Sequence, residues 1–288
     1  MEICLAMLRL MEKKEVFKFS YAVSVSQTAF EAVGKGDWRD SAQFMSSLGY
    51  TGIELAIRNP RDVEISALQT VLQKNKLNLA AIGTGQAYFD ENISLSDDDK
   101  TRREKAVTRL KDHINLAGNF DAYIIIGLIR GHLGKDPVDR EKRFSFFQES
   151  ITEVLEYANK KNITIVIEPV NRYECDFFNR AEEISRFISE SGFTNAGILL
   201  DSFHMNIEES SFYDTIIRSQ PFVRHVHIAD SSRWYPGAGH IPFSEIIRAL
   251  KETGYQGYLS GEMLPLPDLK TAITKHIEAM KEVLNEHV

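Results

Sequence analysis

Four residues able to ligate a metal each close a short apolar run in the second half of this chain. The intervals between them are nearly regular. Glu168 follows Ile163-Thr-Ile-Val-Ile, Asp201 follows Ala196-Gly-Ile-Leu-Leu, His227 follows Val223-Arg-His-Val, and Glu262 follows Tyr258-Leu-Ser-Gly. The gaps of 33, 26 and 35 residues are each about one strand plus one helix. An apolar strand ending in a polar ligand-type residue is the pattern of the C-terminal mouth of a parallel barrel.

The rest of the chain alternates in the same way. Strands are expected at 19–25, 52–57, 77–83, 122–128, 163–167, 196–200, 223–226 and 258–261. Helices are expected at 38–48, 65–74, 98–117 and 140–160, from Ala181-Glu-Glu onward, at 212–219 and 243–253, and from Leu269 to the C-terminus. Asp37 is a suitable N-cap for the first helix. Eight strands and eight helices leave no room for a second domain. The expected fold is a single (β/α)8 TIM barrel over residues 18–288, with a doubly wound open sheet as the second topology. Residues 1–17 read as a short leader: the acidic second residue and Arg9 deny it the basic start and the longer apolar core of a secretion signal.

Composition removes several function classes. The balance of 34 basic against 41 acidic residues gives a net charge of −7, and no basic stripe offsets it, so binding to nucleic acid is not expected. The charge run at Lys100, Arg102, Arg103, Glu104 and Lys105 reads as the solvated face of a helix. No apolar stretch reaches 18 residues, so no membrane span is expected. Cys4 and Cys175 are too few for a disulfide framework or a thiolate cluster, and a reducing cytoplasm is the simplest setting. A homo-oligomer, dimer or tetramer, is the expected assembly.

Two Glu, one Asp and one His form a hard donor set, suited to one divalent ion: Mn²⁺ first, Mg²⁺ or Co²⁺ as alternatives. Any one of these residues alone would pass for an N-cap, a salt-bridge partner or a core histidine. Four at consecutive strand ends would not. A second set repeats the pattern a few residues further on: Glu174, His204 and Arg233, placed to reach a substrate held at the ion. Gly83 and Gly85 read as points of close approach at the mouth of the third strand, with turn chemistry as the other explanation.

The segments Ile167-Glu-Pro-Val-Asn-Arg-Tyr-Glu174, Asp201-Ser-Phe-His-Met-Asn-Ile-Glu-Glu209 and His227-Ile-Ala-Asp-Ser-Ser-Arg233 resemble the motifs of D-tagatose 3-epimerase-type ketose epimerases, within the xylose isomerase-like barrels. The likeness covers nearly the whole chain after residue 17. Ala81-Ile-Gly-Thr-Gly-Gln-Ala-Tyr88, Ile125-Ile-Gly-Leu-Ile-Arg-Gly131 and Arg233-Trp-Tyr-Pro-Gly-Ala-Gly-His240 look like the branch that includes 5-keto-L-gluconate epimerase. The resemblance implies that Glu168, Asp201, His227 and Glu262 hold the ion and that Glu168 and Glu262 also form the acid/base pair. It implies that Glu174, His204 and Arg233 bind oxygens at the ketone end, and Gln86 joins this substrate-binding set. The implied reaction inverts the carbon beside the ketone, which requires a proton-transfer group on each face of the substrate.

A keto-sugar acid of the 5-keto-L-gluconate or D-tagaturonate type would need a cation for its far carboxylate, and Arg130 and Arg58 are the candidates. Either could instead pair with an acidic neighbour on the rim. Trp234 and Tyr235 read as part of a partly mobile loop over the pocket, or as packing for a subunit interface. The alternative readings are a D-tagatose/D-fructose-type ketose 3-epimerase, a sugar isomerase or inosose-converting enzyme, and a catalytically inactive sugar-binding barrel. A DNA repair nuclease on the same barrel would need more histidines than the 8 present.

Overall fold

Strand-forming runs of Ile, Val, Leu and Ala pair in chain order and close on themselves. The computed structural model describes residues 17–286, so residues 1–16 of the expected leader lie outside the described residues. Phe17, counted with that leader, is buried with its ring 6.1 Å from that of Tyr255, so barrel packing starts one residue earlier. The strands are β1 (Lys18–Ser24), β2 (Gly52–Ala56), β3 (Asn78–Gly83), β4 (Tyr123–Ile126), β5 (Ile165–Ile167), β6 (Ala196–Asp201), β7 (Val223–Ile228) and β8 (Tyr258–Gly261). All pairings are parallel and β8 returns to β1, which rules out the open sheet.

The principal helices fall where the apolar periodicity puts them: α1 (Trp38–Leu48), α2 (Ile65–Asn75), α4 (Lys100–Ala117), α5 (Pro137–Lys160), α6 (Ala181–Ser191), α8 (Phe212–Ser219), α9 (Phe243–Glu252) and α10 (Leu269–Glu286). Asp37 caps α1 as expected, accepting from the Arg39 N–H, and Asp136 caps α5 with Pro137 in the first turn. Two short helices were not foreseen, α3 (Gly85–Glu91) and α7 (Ser202–Glu208), and both follow directly on strand ends. Seven residues give too few turns for a helical period to be read. No helix among the described residues is long and apolar enough to cross a membrane.

Register places the mouth residues side by side. Asp201 pairs with His227 across β6 and β7, and His227 pairs with Ser260 across β7 and β8, one residue short of the barrel end. The main core lies between barrel and helices. Inside the barrel, Ala81, Ile125, Val166 and Leu199, one each from β3 to β6, make a separate apolar layer. The other half of the interior is polar, with Glu54, His225, His227 and Ser260 all buried.

The long segment between β5 and α6 is clamped by aromatic packing. Phe147 of α5 lies with ring centroids 5.2 Å from Phe177 and 5.6 Å from Phe178, and Phe178 lies 5.3 Å from Phe187 of α6. Phe147 is fully buried, so Phe147→Ala should lower unfolding stability in urea by about 3–5 kcal/mol, through lost contact and the cavity left behind. A loss under ~1 kcal/mol would show that the clamp contributes little.

Candidate metal centre

Glu168, Asp201, His227 and Glu262 converge at the C-terminal mouth, with one donor atom from each lying within 4.8 Å of the others. His227 Nδ1 stands 3.7 Å from Glu168 Oε1, 3.7 Å from Asp201 Oδ2 and 3.6 Å from Glu262 Oε2. These distances are too long for hydrogen bonds. Glu168 Oε1, Asp201 Oδ2 and His227 Nδ1 are all buried with no hydrogen-bond partner among the described residues. Three unpaired acceptor-type atoms facing one another are costly unless a cation satisfies them, and hard oxygen and imidazole donors fit a divalent ion.

Local structure fixes each carboxylate. Asp201 spends Oδ1 on capping α7, accepting from Phe203 N at 2.7 Å and His204 N at 3.3 Å, which turns Oδ2 into the site. Glu168 follows β5 directly, and its N–H extends the ladder to Ile126 O at 3.1 Å. Its carboxylate lies against Gly127 at the end of β4: a Cβ there would stand 2.6 Å from Glu168 Oε2. Glu262 Oε2 accepts from Arg233 at 3.1 Å.

Electrostatics separate the carboxylates. Burial raises the Glu168 pKa, and the charge of Glu262 adds to the rise against the pull of His227 and His204. Burial would raise Asp201 too, but His204 and His227 outweigh it and hold Asp201 below the usual carboxylate range. His227, although disfavoured as a cation by burial, is raised well above its ordinary value by Glu54 and Glu262.

The second set also converges. Asn171 Oδ1 accepts from the Tyr173 N–H at 2.9 Å, which fixes the orientation of the amide. Its Nδ2 therefore donates to Glu174 Oε1 at 2.8 Å and to His204 Nδ1 at 2.8 Å. With Nδ1 accepting, the His204 proton sits on Nε2, the atom 3.8 Å from Glu168 Oε1. Arg233 spans the mouth, donating to Glu174 Oε1 at 2.9 Å and to Glu262 Oε2, with its guanidinium 4.9 Å from the centre of the Phe203 ring. Gln86 is buried in the first turn of α3 and donates to Ser24 Oγ at 2.7 Å.

Three expectations change. Arg130 is fully buried with its donors engaged by the protein: it donates to the backbone carbonyls of Glu168 and Phe178, and its Nε lies 3.3 Å from Cys175 Sγ. The 3-10 turn Leu128–Arg130 directs the side chain under the β5 loop, so it serves that loop and is not open to a substrate carboxylate. Arg58 takes the rim role, with Asp90 at 3.7 Å and Glu91 at 3.9 Å. Close approach is not needed at Gly85, where an added Cβ meets nothing within 4 Å, or at Gly83, where it meets only Ala56 at 3.6 Å; Gly127 is the tight point. The loop carrying Trp234 and Tyr235 is tied down by buried Asp230, which accepts from the N–H groups of Ser231, Gly237 and Ile241.

Sequence reasoning missed Glu54, Asn171, Gly127 and Asp230. A lone acid in the middle of the apolar strand Gly-Ile-Glu-Leu-Ala was the available signal for Glu54. Nothing in the sequence marked the other three apart from ordinary loop residues.

Residues 42–283 match the model of the xylose isomerase-like TIM barrel family, and the chain belongs to that family. The D-psicose 3-epimerase of Agrobacterium fabrum is 31% identical over 219 residues, covering 74% of each chain. The L-ribulose 3-epimerase of Methylomonas sp. is 29% identical over 237 residues, covering 80% of this chain and 81% of its own. Among solved structures, the D-allulose 3-epimerase of Methylomonas sp. in complex with D-allulose superposes with a TM-score of 0.77 at 25% identity, over 92% of this chain and 97% of that one. The resemblance to ketose epimerases read from the motifs is thus borne out, and the chain stands among carbohydrate epimerases, enzymes of the isomerase class.

Gly127→Ala should displace the Glu168 carboxylate and weaken Mn²⁺ binding ~10-fold or more in calorimetric titration, while Gly85→Ala should leave it unchanged. Equal affinities in all three proteins would mean that Glu168 is not held against this backbone.

Proposed function

We propose that this chain is a divalent-metal-dependent ketose 3-epimerase acting on neutral ketoses such as D-psicose and D-fructose. The observation that carries this reading is the pair of glutamates, Glu168 from β5 and Glu262 from β8, that face one point from different sides of the barrel. Inversion beside a ketone needs a base on one face of the carbon and an acid on the other, and two carboxylates so placed meet that need. Glu168, Asp201, His227 and Glu262 would hold the ion. Bound there, a divalent ion supplies Lewis-acid polarisation of the ketone and lowers the acidity barrier at the neighbouring carbon.

The chain's own groups do the remaining work. Glu168 and Glu262 exchange a proton with opposite faces of the carbon. His204, with its proton on Nε2, donates to a substrate oxygen from beside Glu168. Glu174 accepts from a substrate hydroxyl, and Arg233 holds both Glu174 and Glu262 in place while offering its guanidinium edge to the ketone end.

Charge around the site favours a neutral substrate over a sugar acid. The donors of Arg130 are committed to Glu168 O and Phe178 O, Arg58 pairs with two acids, and Arg233 is engaged by two carboxylates. A substrate carboxylate would enter a mouth that already holds Glu168, Glu174, Asp201 and Glu262, with none of these three arginines free to receive it. The names of the relatives, which concern D-psicose, L-ribulose and D-allulose, support the same choice.

Chelation should abolish epimerisation and Mn²⁺ should restore it; full activity in metal-free protein would reject the metal-dependent reading. Glu168→Gln and Glu262→Gln should each stop interconversion while one of them still exchanges the substrate proton with D₂O from a single epimer, metal content being checked first. Wild-type interconversion in either variant would reject the two-sided mechanism. kcat/KM for D-psicose or D-fructose should exceed that for 5-keto-L-gluconate or D-tagaturonate by about 10-fold or more, the scale of one charge-assisted contact. The reverse order would return the assignment to the sugar acids.

A further inference from the structure

Among the described residues, Glu54 is the one buried acid of the barrel interior that the reaction scheme leaves without a task. It stands in the middle of β2, 2% exposed, on a strand otherwise made of Gly, Ile, Leu and Ala. Burying a carboxylate there is expensive unless donors surround it. Three do: His225 Nε2 at 2.8 Å, His227 Nε2 at 3.0 and 3.1 Å, and Ser260 Oγ at 3.0 Å. These are hydrogen-bond lengths. A carboxylate that accepts from two ring nitrogens and a hydroxyl is satisfied without an ion.

Its consequence lies on the other side of the His227 ring. An imidazole that ligates a metal is neutral, whatever its protonation without the ion, and carries one proton and one lone pair, the position of each set by what the ring nitrogens face. An ionised carboxylate is an acceptor only, so Glu54 requires the proton on Nε2. The lone pair is then on Nδ1, the atom that faces Glu168, Asp201 and Glu262 and has no hydrogen-bond partner. His225 and Ser260 hold Glu54 from two further directions, so the carboxylate cannot rotate away from the ring.

We propose that Glu54 is a positioning residue that fixes the tautomer and orientation of His227 and strengthens its Nδ1 as a metal ligand. The inference rests on the metal reading of the four-residue centre. A hydrogen-bonded carboxylate behind a ligating histidine raises its basicity, and loss of such a partner weakens metal affinity by about 10- to 100-fold.

The test is calorimetric titration of Mn²⁺ into metal-free protein, comparing wild type with Glu54→Gln, Ser260→Ala and Asp201→Asn. Glu54→Gln preserves size but sets an amide against the ring, and it should weaken binding by about 10- to 100-fold. Ser260→Ala, which removes one support of Glu54 without touching His227, should weaken it less. If Glu54→Gln binds as tightly as wild type while Asp201→Asn binds weakly, the role of Glu54 is overturned and the metal centre stands. If wild type does not bind Mn²⁺, or Asp201→Asn binds equally well, the metal reading falls and takes this inference with it. A direct readout needs no variant: in Zn²⁺-loaded wild type, ¹⁵N-resolved spectra should show the His227 proton on Nε2 in slow exchange. A proton on Nδ1 overturns the proposal even if Glu54→Gln fails to fold.

Discussion

Three carboxylates and an imidazole share one small volume at the barrel mouth, and much of the surrounding structure exists to hold them there. Like charges this close repel, and burial sharpens the repulsion because water no longer screens it. The fold answers with rigid placement. Asp201 and His227 are register partners on adjacent strands, and Glu168 and Glu262 are each the first residue after a strand, so all four lie in a strand or within one residue of its end. Each is restrained by a contact behind it: the cap of α7 for Asp201, Gly127 for Glu168, Glu54 for His227, and Arg233 for Glu262.

This division of labour explains which parts were legible in the sequence. Strand ends repeat at fixed intervals because each βα unit has to cross the barrel and return, so the ligand positions carry a period that a single sequence displays. The contacts behind them carry none. Asn171 fixes the His204 tautomer only because the chain turns to bring residues 33 positions apart within 2.8 Å. Gly127 matters only because the β4 end meets the Glu168 carboxylate. The error at Arg130 has the same origin. Sequence placed it correctly after β4 but could not give its direction, and a single 3-10 turn aimed the guanidinium at backbone carbonyls of the β5 loop.

Arg130 nevertheless belongs to the site in an indirect way. Its bonds to the carbonyls of Glu168 and Phe178 tie the first and eleventh residues after β5 to the β4 turn. The phenylalanine cluster of α5 and α6 holds the same loop from outside, and Arg172 clamps it to Glu208 of α7 through its backbone and side-chain N–H groups. Glu174, the acceptor proposed for a substrate hydroxyl, is therefore carried by a segment fixed at several points, as an accurately oriented contact requires.

Arg233 shows how strain is tolerated where geometry demands it. Its φ of 60° is the left-handed region, unfavourable for a side chain of this size. The conformation is enforced by its neighbours: Arg233 N donates to Asp230 O at 2.8 Å, Asp230 N donates to Trp234 O at 2.9 Å, and Leu264 N donates to Arg233 O at 2.8 Å. The last of these joins the β7 loop to the β8 loop two residues beyond Glu262. A guanidinium fork bridging Glu174 and Glu262 thus connects loops after β5, β7 and β8 across the mouth. Lysine could not replace it, because a single ammonium on a flexible stem lacks the fixed fork needed to engage two carboxylates in defined directions. With that fork already engaged by two carboxylates, Arg233 is less open to a third on a substrate, which is the physical ground for the neutral sugar proposed above.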